Sequence, residues 1–156
     1  MPKGRETANP DEVFGDDTND ANEIVLELEE AFLVILLLAN DADGEVAPEE
    51  RQALAVTLER MNLFKYMSPE ETEEIFERTS NIFDRYSVDT IFEAVKKALP
   101  MELRETAFAA ATYLVFADGI VTEEEGKFLG QLWGDLEISD ETAQKIIEVM
   151  EIMNRA

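Results

Sequence analysis

The chain has 156 residues and is strongly acidic, with 36 Asp and Glu against 13 Lys and Arg and a formal net charge of −23. A field of that sign repels phosphate backbones, which argues against nucleic acid and favours metal cations or a basic protein surface as partners. There is no Cys and no His, so disulfides, thiolate nucleophiles, zinc knuckles and imidazole bases or ligands are all excluded.

Any bound metal would therefore be held by oxygen alone, which restricts the candidates to hard divalent cations such as Ca²⁺, Mg²⁺ or Mn²⁺. No organic cofactor is implied. Apolar residues make up 46% of the chain, enough for the packed interior of one domain. The first twenty residues are polar and acidic, unlike a secretory leader. The longest apolar run, residues 31–39, falls short of the ~20 residues that span a bilayer. A cytoplasmic protein is expected.

Residues 1–20 read as a flexible acidic tail, with Val13 and Phe14 as their apolar pair. Residues 21–156 read as a single helical domain. A first helix is expected over 21–40, where Ile24, Leu28, Ala31, Phe32 and Ile35 recur at helical spacing. Leu33, Val34, Leu36 and Leu37 fill its other faces, as in a central buried helix. A second helix opens on Pro48, with Leu54, Leu58 and Met61 as its stripe. Residues 62–67 form a linker. Ser68-Pro-Glu-Glu71 is a capping box, and it starts a third helix carrying Ile75, Phe76, Thr79, Ile82, Phe83 and Tyr86 on one face.

Ser87 caps a short fourth helix, and Pro100 opens a fifth over 101–117. The alanines of that fifth helix make it narrow, and it stands as the second central helix. Thr122-Glu-Glu-Glu125 is another capping box, starting a sixth helix with Leu129, Leu132, Trp133 and Leu136. Ser139 caps a seventh. No alternating strand pattern appears. The expected fold is all-α, with about seven helices in two pseudo-repeated halves, roughly 21–86 and 87–156.

The stretch AFLVILLLANDADGEVAPEER, residues 31–51, returns in reduced form as YLVFADGIVTEEEG, residues 113–126. Aligning Asp43 with Asp118 also matches Gly44 with Gly119, Val46 with Val121, Glu49 with Glu124 and Glu50 with Glu125. The shared pattern is A-D-G-x-V-x-x-E-E, placed each time where an apolar helix turns into the next one. Glycine supplies the left-handed residue that ends a helix. The Glu residues sit in first turns, where the helix dipole favours negative charge. Asp41, Asp43 and Asp118 are different. They lie at the negative pole of the preceding helix, where a carboxylate costs a few tenths to about 1 kcal/mol. A cation held between Asp43 and Glu50, or between Asp118 and Glu125, would offset that cost. A local Asp turn without any ligand is the alternative.

An EF-hand loop is excluded by counting. With Gly44 at the sixth loop position, the first position is Ala39, and in the second copy the first and third are Leu114 and Phe116. The duplicated hinge in an acidic all-α chain resembles the tellurite-resistance TerB-like family over roughly 23–153. The resemblance implies an internally duplicated helical module without catalytic activity and with an acidic, metal-binding face. It also implies a role in bacterial stress or metal resistance, acting with a protein partner that is membrane-associated. On the matching positions the implied ligands are Asp43, Glu50, Asp118 and Glu125, supported by Asp41, Glu49 and Glu124. Pro48 stands where the second copy has Glu123, so the two halves are not chemically equivalent.

Gly126, Gly130 and Gly134 recur every four residues on the sixth helix. Each costs ~1 kcal/mol against Ala in a helix interior, so a close neighbour is expected there. A helix of the same domain is favoured over a seam between two copies in a homodimer. The paired acids Glu70/Glu71 and Glu73/Glu74 read as a solvated face rather than as acid–base machinery.

Overall fold

The structure is a computed structural model that describes residues 24–39, 48–117 and 120–155. The described residues form seven α-helices and no strand: α1 (Leu28–Ala39), α2 (Pro48–Glu59), α3 (Pro69–Arg85), α4 (Val88–Ala98), α5 (Met101–Phe116), α6 (Glu123–Asp135) and α7 (Asp140–Met153). The expected acidic tail, 1–20, lies outside the described residues.

Helix α1 is the centre of the core. Ala31 through Leu37 are all essentially inaccessible, so its sequence is apolar on every face because every face is covered. α5 lies along it, and α3 and α4 complete its surroundings. Phe32 of α1 meets Phe64 of the α2–α3 linker edge-on, with ring centroids 6.1 Å apart. Helix α5 turns Ala107, Phe108, Ala111 and Val115 into the same core and packs against α6 and α7 on its other side. The small alanines let these helices approach. Helix α2 adds Leu54 and Leu58 to the same core.

The helix starts follow local chemistry. At α3 and α6, Ser68 and Thr122 accept the N–H of the third helical residue while Glu71 and Glu125 accept the cap residue's own N–H. Ser87 and Ser139 cap α4 and α7 by accepting the N–H groups of Thr90 and Thr142.

The first helix starts later than its apolar spacing suggests, at Leu28 rather than near residue 21. Residues 24–27 precede it with alternating burial, Leu26 inward and Val25 outward. The reason is Glu30. Its carboxylate accepts the Glu27 N–H at 2.9 Å, fixing the helix start there, and accepts Arg78 Nε of α3 at 3.2 Å. Arg78 also reaches Glu27 at 3.3 Å. Met61, expected on the α2 stripe, lies just past the helix, where its N–H bonds the Leu58 carbonyl at 2.9 Å.

At the end of α6 the N–H groups of Glu137 and Ile138 bond the carbonyls of Gly134 and Trp133, both at 3.1 Å. This is the double-bonded left-handed ending that usually carries glycine. Here Glu137 takes the left-handed position, with φ of 60°.

Candidate functional site

The two hinges join each central helix to the one after it. The first runs from the end of α1 at Ala39 to the start of α2 at Pro48. Asp41 and Asp43, expected as ligands, lie outside the described residues. Glu49 and Glu50 occupy the first turn of α2, and only their backbone is described. The second hinge runs from the end of α5, where the Ala117 N–H bonds the Leu114 carbonyl at 3.1 Å, to the cap Thr122. Asp118 also lies outside the described residues.

Two of the expected ligands are fully described, and they differ. Glu124 is exposed in the first turn of α6. Glu125 is half-buried, and its Oε1 accepts the Thr122 N–H at 2.9 Å while its own N–H bonds Thr122 Oγ1 at 3.1 Å. One oxygen of Glu125 therefore has a structural duty whatever else the residue does. The first copy has Ala47 where the second has Thr122, so that hydroxyl cap has no counterpart there. Among the described residues, no group of three or more Asp or Glu side chains converges as a metal site.

Beyond the acids, the hinge motif places its valine. Val121 lines a shallow groove of about 300 Å³ with Phe116, Gly130, Trp133 and Ile147, and Ile120 beside it is 71% exposed. The helical spacing of α6 carries this signal, because Leu129, Leu132 and Leu136 face the core and leave the glycines to one side. Among the described residues, no helix closes over those glycines as expected. A Cβ built on Gly126, Gly130 or Gly134 meets nothing within 4 Å.

With this arrangement in view, the sequence matches the family model described as Tellurite resistance protein TerB over residues 29–148, more than three quarters of the chain. The chain belongs to the TerB family. The match runs from the first turn of α1 well into α7, so both TerB hinges and both central helices fall within it. No curated protein and no solved structure matches the chain. No helix among the described residues is long and apolar enough to cross a membrane.

Proposed function

We propose that this TerB domain is a non-catalytic binding module whose two acidic hinges form a cation-recognising surface. It would serve a bacterial tellurite-resistance, metal-resistance or stress-response system through a protein partner. The observation that carries the reading is the repetition of A-D-G-x-V-x-x-E-E at the end of both central helices. In each copy the sequence carries an Asp between a central helix, whose end disfavours negative charge, and the Glu residues that open the next helix. A hard divalent cation between them would relieve the repulsion of both.

The test is thermal melting during titration with Ca²⁺, Mg²⁺ and Mn²⁺. A cation that binds only the native state at a hundred times its Kd adds about 2.7 kcal/mol. A melting temperature unmoved by millimolar amounts of all three would overturn the metal reading. A second reading, an adaptor that recognises a basic partner without metal, is favoured by one contact. The Glu125 carboxylate is already engaged by the Thr122 N–H. Partner binding that persists unchanged in EDTA would select the adaptor.

A further inference from the structure

One concavity lies away from the α5–α6 hinge. It is a groove of about 770 Å³ between α2, the linker after it and the first half of α3. Its floor is apolar, built from Leu58, Phe64, Met67 and Phe76. Three of these are core residues showing their outer edge, since Leu58, Phe64 and Phe76 are each nearly buried.

Carboxylates stand on both walls. Glu59 at the end of α2 and Glu73 of α3 line the groove. Glu70 and Glu77, three residues before and four after Glu73, carry the α3 edge up and down the helix, and both are exposed. Pro69, Thr72, Glu73 and Phe76 line the groove, so helical spacing puts the three acids along its solvent side. Lys65 is the one cation among the described lining residues, and its ammonium lies 5.1 Å from the Tyr66 ring centroid.

We infer that this groove receives a cationic amphipathic helix of a partner protein. Apolar side chains at i, i+3/i+4 and i+7 would enter over Leu58, Phe64 and Phe76, and flanking Lys or Arg would meet Glu59 on one side and Glu70 and Glu77 on the other. The volume is in the range that holds a few large side chains or one small ligand. The two-sided acidic rim selects a cationic occupant and disfavours an anionic one, such as a fatty acid or an acidic peptide. This assignment is independent of the hinge reading, because it uses no hinge residue and needs no metal.

The test uses an 18-residue Leu/Lys peptide with Leu at helical i, i+3, i+4 spacing, and the same peptide with Glu for Lys, in EDTA. Binding is followed by fluorescence of a dye on the peptide and mapped by NMR of the full chain. The Lys peptide should bind and shift the signals of Phe64, Met67 and Phe76, and the Glu peptide should not bind. Because a chain of this charge attracts any cation, the deciding comparison is between two double variants of equal charge change. Glu70→Lys with Glu77→Lys should weaken binding about tenfold, while Glu148→Lys with Glu151→Lys on α7 should change it by less than about twofold. Met67→Gln, which keeps all charges, should also weaken it several-fold. Equal losses in the two double variants would overturn the assignment, as would shifts confined to the α6–α7 face. Binding of the Glu peptide or no binding of the Lys peptide would do the same. Cation titration of the hinges can succeed or fail whichever of these results is found.

Discussion

The guanidinium of Arg104 donates to the Lys96 carbonyl at 2.7 Å, tying the first turn of α5 to the last turn of α4. The same side chain donates through Nε to the Leu99 carbonyl at 2.9 Å and through Nη1 to the Leu136 carbonyl at 3.3 Å. One cation thus serves the C-termini of α4 and α6, where helix dipoles favour positive charge. Arg104 is largely buried, with 15% of its side chain exposed. Lys offers a single point of donation in place of a planar fork. Arg104→Lys should therefore cost about 2 kcal/mol, read as a lowered urea midpoint with an unchanged slope. A loss under about 0.5 kcal/mol would show that water replaces the lost donors.

Thr79 gives a prediction of opposite sign. It is completely buried on α3, and its hydroxyl has no hydrogen-bond partner among the described residues. Thr112, equally buried on α5, returns its hydroxyl to the Phe108 carbonyl at 2.7 Å. Thr79→Val keeps the shape and removes the unpaired group, so it should raise stability by about 1 kcal/mol. Thr112→Val should not. Equal effects of the two substitutions would refute this account of Thr79.

Gly130→Ala is expected to stabilise α6 by somewhat less than 1 kcal/mol. The added methyl meets nothing within 4 Å, so the helix-propensity gain carries no steric penalty. A destabilised variant in the isolated chain would mean that another copy or segment packs against this glycine in solution.

At the hinges, Asp43→Asn combined with Asp118→Asn should raise the stability of the metal-free protein by a few tenths to about 1 kcal/mol. The measurement is denaturant unfolding in EDTA. A clear loss would identify the two Asp residues as turn caps. The same double variant should lose any stabilisation that divalent cations give the parent chain.

These cases divide according to how far apart the interacting residues are. The caps at Ser68, Ser87, Thr122 and Ser139 were legible because cap and partner lie three residues apart. The central place of α1 was legible because a helix apolar all round has to be covered all round. Arg104 and Arg78 were not legible, because their partners lie in or beside other helices and their type marks only charge. The start of α1 falls later than apolar spacing predicts for a related reason. Apolar spacing continues through Ile24 and Leu28, and only the Glu30 carboxylate shows that the helix begins after Glu27. The glycines of α6 predict a contact because glycine in a helix has a cost, but spacing alone does not say whether a neighbour occupies that face. The acidic hinges stood out in the sequence by repetition, and Glu125 was identified there both as a cap and as a ligand candidate. The structure shows the cap.

The seating of α2, whose buried residues among those described are Leu54 and Leu58, also sets a hierarchy of opening. Helices held by many apolar neighbours exchange their amide hydrogens only when the whole domain unfolds, whereas lightly held ones open alone at lower free energy. Native-state exchange should therefore label α2 well before α1 and α5. In time-resolved terms, one wall of the apolar groove would breathe while the helical pair behind it stays closed.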